Sequence, residues 1–155
     1  MKAWNFKSKS NPKEISQKLQ ASLGSANGLV FKMNHDKDNS VTFKIRKRIL
    51  YAWYMVFQNW TIVNGKLEKI DSENRTKVEI SFKQHFLITL IIATHIFFGL
   101  GFLIAIISGI SSSPSAYIIT VILFAVGFVL WLAVQQKFEK DIQKFKTLIS
   151  GIIAS

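Results

Sequence analysis

The distribution of apolar residues divides the chain into a mixed N-terminal part and a strongly apolar C-terminal part. Charged residues are absent from Phe86 to Ile107 and again from Ser108 to Gln136. Each interval holds an apolar run of roughly the 20 residues that a helix needs to cross a hydrocarbon core about 30 Å thick. The pattern therefore predicts two membrane-spanning helices, at about 86–107 and 116–134, joined by a short polar connector.

The first 84 residues show the shorter periods of a small mixed domain. Ile15, Leu19 and Leu23 recur every four residues behind the pair Asn11-Pro12, which suits the start of a helix. Strict alternation of apolar and polar residues at 41–48 and 78–82 predicts strands. One helix after a first strand, followed by about five strands and tight turns, predicts an α+β fold with a small antiparallel sheet.

Turn signals separate the predicted strands. Asn64-Gly65 suits a type I′ turn, so that a strand at 60–63 would return at 66–70. Residues 36–40 begin like a calcium-binding loop, but Val41 and Lys47 stand where such a loop needs Gly and Glu. We therefore predict a turn there and no metal site.

The second span has no obvious end at the membrane boundary. Gly and Pro are absent from 128–150, so this helix is expected to continue beyond the span as a helical tail. Phe138, Ile142, Phe145 and Ile149 recur at intervals of four, three and four, which gives the tail an apolar seam. The predicted organisation is a cytoplasmic α+β domain at 1–84, a transmembrane helical hairpin at 85–135 and an amphipathic C-terminal tail helix at 136–155.

The distribution of charge predicts how the chain is oriented in the membrane. The chain carries a net charge of +11, and its N-terminal part and tail are rich in Lys, whereas the connector has no charge. Cytoplasmic segments of membrane proteins carry the excess of Lys and Arg, so both termini are expected in the cytoplasm. The preference for Lys (17 residues) over Arg (3) is typical of an AT-rich bacterial genome and indicates a bacterial inner membrane. Attraction to anionic lipids explains the charge better than nucleic acid, for which no motif is present.

A basic segment directly precedes an aromatic one. Cations at Lys44, Arg46, Lys47 and Arg48 suit contact with anionic headgroups at the membrane surface. In the apolar run 49–57 that follows, strand and helix cannot be distinguished. The segment could be a core strand with a solvated basic end, a membrane-interfacial segment, or the lining of a pocket for a lipid or apolar ligand. The candidate ligand-binding residues are Tyr51, Trp53, Phe57 and Trp60.

The first span contains one polar feature and one stripe of small residues. His95 lies near its middle, where an imidazole is costly unless it has a partner. It is either a proton carrier or a neutral ring bonded to the neighbouring helix, for example at Thr120. Gly101, Ala105 and Gly109 are spaced by four and permit close helix packing, either within the hairpin or between two copies.

Signatures of catalysis are missing from the sequence. The chain has no Cys, and its carboxylates form no recognisable acid–base pair. Nucleophile elbow, phosphate loop and zinc-binding helix motifs are also absent. The expectation is a protein that is not an enzyme, with no catalytic residues, no metal and no cofactor.

Three segments carry a resemblance to known proteins: Asn64-Gly65-Lys66-Leu67, Val78-Glu79-Ile80-Ser81-Phe82 and Gln136-Lys137-Phe138-Glu139-Lys140-Asp141-Ile142. With them the chain resembles small two-span membrane proteins of the Bacteroidota, which implies a membrane location and no particular activity. The N-terminal order of strand, Asn-Pro-led helix and antiparallel strands is similar to helix-grip lipid-binding domains. In this chain the first span or the tail would have to replace their closing helix.

These observations leave three functions open. The first is a non-enzymatic inner-membrane protein whose cytoplasmic domain is an interaction or regulatory module. The second is a lipid or apolar-ligand binding module at the membrane surface. The third is an accessory subunit of a transporter, with His95 in the pathway. The expected partners are membrane lipids and either a second copy of the chain or another membrane protein, and no nucleic acid.

Overall fold

The computed structural model describes residues 1–35, 40–48, 61–70 and 75–154. Within these ranges the chain forms five strands and three helices, which confirms the α+β class. In chain order the elements are β1 (Lys2–Ser8), α1 (Pro12–Leu23), β2 (Leu29–His35), β3 (Val41–Lys47), β4 (Thr61–Ile70), β5 (Arg75–Gln84), α2 (Phe86–Ile107) and α3 (Pro114–Ala154).

The strands form one antiparallel sheet in the order β1-β5-β4-β3-β2. The first strand therefore pairs with the last, and α1 carries the chain from one edge of the sheet to the other. The predicted antiparallel sheet with one N-terminal helix is confirmed.

Helix α1 begins as its sequence predicts. The side chain of Asn11 accepts a hydrogen bond from the backbone N–H of Glu14 (2.8 Å), and Pro12 occupies the first turn. The Glu14 carboxylate accepts from the Ser10 hydroxyl (3.2 Å) and pairs with Lys18 (3.1 Å). These contacts, with Lys18 the larger, lower the pKa of Glu14 below its ordinary value.

Every second residue of the central strands is buried, which defines the core face of the sheet. On β3 these are Val41, Phe43 and Ile45, and each lies beside a buried position of β4. The same rows continue into Val78, Ile80 and Phe82 of β5. The side of α1 that is buried carries Ile15, Leu19 and Leu23, which have at most 2 % of their surface exposed.

The predicted turn at Asn64-Gly65 is wrong, because β4 passes through both residues without interruption. Gly65 pairs with Phe43 on one side and Ile80 on the other. A Cβ atom built on Gly65 would lie 2.0 Å from Cζ of Phe43. The glycine is therefore present because the aromatic ring covers it on the core face, and a side chain has no room.

The chain folds into two compact units. One consists of 1–85 together with 140–155, and the other of 86–139. Helix α3 is 41 residues long and contributes to both. Its apolar seam is buried as the periodicity predicts, at Phe138, Ile142, Phe145 and Ile149. The tail therefore belongs to the same compact unit as the sheet, whereas α2 does not.

The second unit contains two helices that are long and apolar enough to cross a membrane, α2 and the first part of α3. In the most apolar stretch of α2 only 6 % of the residues are buried, and 17 % in that of α3. Helix α2 ends in a Schellman turn: Gly109 has a φ of 71°, its N–H donates to Ile106, and that of Ile110 donates to Ala105.

Candidate interaction surface on the open face of the sheet

The two faces of the sheet differ in chemistry. The core face is apolar, and the tail is fastened to it at Asp141, a residue that has 3 % of its surface exposed. Thr61 Oγ1 at the start of β4 donates to Asp141 Oδ2 (3.0 Å), and Lys47 Nζ at the end of β3 lies 3.4 Å from Oδ1. Side chains of the alternate strand positions point to the opposite, open face.

The open face is strongly basic. Strand alternation and register place eight cationic side chains on it against two carboxylates, within the strands that the structure describes. The carboxylates are Glu68 and Glu79. The cations are Lys7, Lys32, Lys44, Arg46, Lys66, Arg75, Lys77 and Lys83.

Both carboxylates are already paired. Glu68 lies 2.5 Å from Lys66 Nζ, and this hydrogen bond lowers the pKa of the Glu68 carboxyl. Glu79 lies 2.7 Å from Lys77 Nζ and raises the pKa of that ammonium. Five cations keep no acidic partner among the described residues, so the face retains a net positive charge: Lys7, Lys32, Lys44, Arg46 and Lys83.

A trough of about 670 Å³ runs across the middle of this face. It is open to solvent, and polar side chains of all five strands line it. Lys32 and Lys44 stand directly opposite each other on β2 and β3, and Asn64 lies on the other side of Lys44. The other polar lining side chains are Asn5, Asn34, Thr42, Lys66, Glu79 and Ser81.

The four predicted membrane-surface cations do not share one face. Lys44 and Arg46 lie on the open face, whereas Lys47 reaches Asp141 on the core side. The side chain of Arg48 is exposed, and its N–H donates to the carbonyl of Gly28 (2.8 Å). Successive residues of a strand point to opposite sides, so a contiguous basic run in a strand cannot form one patch.

The predicted ligand-binding residues Tyr51, Trp53, Phe57 and Trp60 lie outside the residues that the structure describes. The same holds for 36–39 of the predicted turn. Lys32, Asn64 and Ser81 were not among the predicted site residues. Their signal was available in the alternation of the strands, since each occupies the polar position next to a buried or half-buried one.

In the second unit, His95 does not bond to the neighbouring helix. Its Nδ1 lies 2.8 Å from the carbonyl of Ile91, one turn earlier in α2. Thr120, the expected partner, donates instead to Ala116 (2.8 Å) within its own helix. Each of the two side chains therefore bonds to a backbone carbonyl four residues earlier in its own helix, as polar side chains in apolar helices commonly do.

The small residues of α2 have separate roles. No described residue lies within 4 Å of a Cβ built on Gly101, and Gly109 belongs to the Schellman turn beyond the helix. Close packing inside the hairpin occurs at other glycines. A Cβ built on Gly99 would lie 3.2 Å from the ring of Phe124, and one built on Gly127 would lie 3.4 Å from Cβ of His95. Packing between two copies at Gly101 stays a prediction.

Comparison of the chain with known proteins found no relative. No protein-family model matches the chain, and no curated protein and no solved structure is significantly similar to it. The two resemblances drawn from sequence segments and element order therefore stay predictions.

Proposed function

We propose that this chain is a non-enzymatic bacterial inner-membrane protein that crosses the membrane twice, with both ends in the cytoplasm. In this proposal the sheet and tail form an interaction module that is held at the membrane by the helical hairpin. The observation that carries the proposal is the contrast between two kinds of apolar surface in the same chain.

The sheet unit buries its apolar residues in the ordinary way. Ile15, Leu19 and Phe82 expose none of their surface. The hairpin does the opposite, since Phe97 exposes 73 %, Val121 67 % and Ile104 61 %. A helix of a soluble protein hides such side chains, whereas a helix in lipid presents them to the acyl chains.

The charge distribution supports the orientation. The connector between α2 and α3, residues 108–113, carries no charge, whereas the part of the chain before His85 and the tail hold all 20 Lys and Arg residues. Moving the basic segments across the bilayer is disfavoured relative to moving the uncharged connector. The basic open face of the sheet would then lie on the cytoplasmic side, where a partner or an anionic leaflet is available.

The native chain has no Cys, so single introduced thiols can report its orientation without a background. We would compare Ser112→Cys in the connector with Ser22→Cys, which is exposed on α1. In intact bacterial spheroplasts a membrane-impermeant maleimide is expected to label Ser112→Cys and to leave Ser22→Cys unlabelled. Disrupted membranes should label both variants.

Recovery of both variants in the soluble fraction would contradict the membrane location. The reverse labelling pattern would contradict the orientation alone. The wild-type chain serves as the control, because any label on it must come from another protein.

A further inference from the structure

The open sheet face contains a local electrostatic conflict. Lys32 and Lys44 are direct cross-strand partners, and like charges in that position destabilise a sheet. Among the described residues, neither ammonium has an acidic partner. Both carboxylates on the face are occupied by Lys66 and Lys77. An anion placed between the two ammonium groups would convert this repulsion into attraction.

The groups around the pair suit a phosphate. Asn64 lies beside Lys44, and Ser81 is the next residue in the same row. On the neighbouring row, Asn34 and Thr42 are also direct partners. Amide N–H and hydroxyl donors beside two ammonium groups match the several acceptor oxygens of a phosphate ester. The trough volume of about 670 Å³ lies in the range of small-molecule sites, about 300–1,000 Å³.

The chain itself indicates where such a phosphate would come from. Only His85 separates β5 from α2, so the strand that carries Ser81 is joined by one residue to a candidate span. If that helix is embedded, lipid headgroups are the phosphate esters at the highest local concentration. Arg46 and Lys83, on the same face, would add attraction to an anionic surface.

We propose that the trough between Lys32, Lys44, Asn64 and Ser81 binds the phosphate-bearing headgroup of an anionic membrane lipid. This rests on the proposed function, since it requires the hairpin to be embedded. It goes beyond that function because it names the ligand class and the residues that hold it. The basic face then contains a lipid-binding site of defined shape, and its role is not limited to nonspecific electrostatic attraction.

The test uses the full chain in nanodiscs, with a reporter thiol at Ala3→Cys. Ala3 lines the trough and is the direct cross-strand partner of Ser81, but it is not one of the four residues proposed to hold the phosphate. One disc contains only phosphatidylcholine, and the other contains phosphatidylcholine mixed with phosphatidylglycerol. We measure the rate at which a water-soluble maleimide labels the thiol. A bound headgroup should slow labelling at least about fivefold in the anionic disc, the effect of about one surface charge contact. Ser22→Cys on α1 should show no such change.

Charge-matched variants separate the trough from general electrostatics. Adding Lys32→Gln and Lys44→Gln to the reporter should abolish the protection. Adding Lys9→Gln and Lys13→Gln, which remove the same charge from outside the open face, should preserve it. Equal loss in both pairs would overturn the proposal, as would equal labelling in the two discs. Protection in the neutral disc by dissolved glycerol phosphate, at concentrations below the millimolar range, would also overturn the lipid source.

Co-elution of chain and disc is scored first. A chain that does not enter the disc overturns the proposed function and this inference together. A chain that enters the disc but shows no protection by phosphatidylglycerol overturns this inference alone.

Discussion

At the scale of single residues, Asn64-Gly65 shows how a strong local signal can lose to packing. The pair is the most favoured two-residue hairpin turn, yet β4 continues through it. The buried positions Val63, Gly65 and Leu67 keep the alternation of a core strand. Glycine occupies one of these positions because the ring of Phe43 fills the space that a side chain would need. The ring lies on another strand, so the local sequence alone could not decide between turn and strand.

Replacing Gly65 by Ala should destabilise the sheet unit, because the new methyl group would overlap the ring of Phe43. We expect a loss of about 1–3 kcal/mol in the free energy of unfolding, the usual effect of overpacking a core. Thermal unfolding of the purified chain in mild detergent measures it. Phe43→Leu in the Gly65→Ala background should recover part of the loss, because it removes the clashing ring atoms.

The matched control is Gly151→Ala, at an exposed position of the tail in the same unit, where no described residue lies within 4 Å of the added atom. It should not lower the unfolding temperature, because alanine favours a helix more than glycine does. A Gly65→Ala variant as stable as this control would mean that the close approach of Phe43 is not a constraint on the fold.

At the scale of elements, the strands and the helices were predictable for different reasons. The alternation at 41–48 and 78–82 predicted strands, and β3 and β5 confirm them. The seam of the tail was also predictable, because a period near 3.6 is contained in one segment. The anchor of the tail was not. Asp141 bonds to Lys47 and Thr61, which precede it by 94 and 80 residues, and no local pattern links them.

Asp141→Ala should loosen the tail helix from the sheet. It would leave the hydroxyl of Thr61, which has 2 % of its surface exposed, without its acceptor. An unsatisfied buried group of this kind costs about 1–3 kcal/mol. Hydrogen exchange followed by mass spectrometry should show faster exchange across 140–154. Asp141→Asn keeps an acceptor for Thr61 and should lose less.

Two further variants calibrate the effect. Lys47→Gln should cost less than Asp141→Ala, because the Lys47 side chain is 33 % exposed and solvent screens its attraction. Lys144→Ala, at an exposed position of the same helix, should leave exchange unchanged. If Asp141→Ala behaved like Lys144→Ala, the buried carboxylate would not be what fastens the tail.

At the scale of the whole molecule, the sheet unit is discontinuous in sequence, since it is completed only after the chain has passed through the hairpin. The sequence pattern predicted 1–84 and the tail as separate segments. Composition separates polar from apolar stretches, and it cannot show which polar stretches pack together. The open basic face could not be predicted from the sequence for a related reason. Its cations come from five strands, and only the register brings them into one surface.

Because the sheet unit is built from two separate parts of the sequence, we can predict which parts fold alone. Residues 1–85 without the tail would lose the burial of Ile142, Phe145 and Ile149. At about 1.5–3 kcal/mol for each side chain, this loss is comparable to the whole stability of a small domain, about 5–15 kcal/mol. We expect 1–85 alone to be aggregated or unfolded.

Replacing 86–139 by a flexible Gly/Ser linker should restore a soluble, folded unit, because a linker of about 20 residues spans roughly 25 Å and supplies the tail at high local concentration. Circular dichroism and cooperative thermal unfolding of the two proteins would measure the difference.

A linker-fused protein carrying Ile142→Asp and Ile149→Asp, which place charges in the apolar seam, should behave like 1–85 alone. Cooperative unfolding of 1–85 at the same temperature as the fusion would contradict the prediction, since the sheet and α1 would then form a complete core without the tail. If the fusion alone is folded, the hairpin lies as an insertion between two parts of one domain, and both ends of that domain must lie on the same side of any membrane that the hairpin crosses.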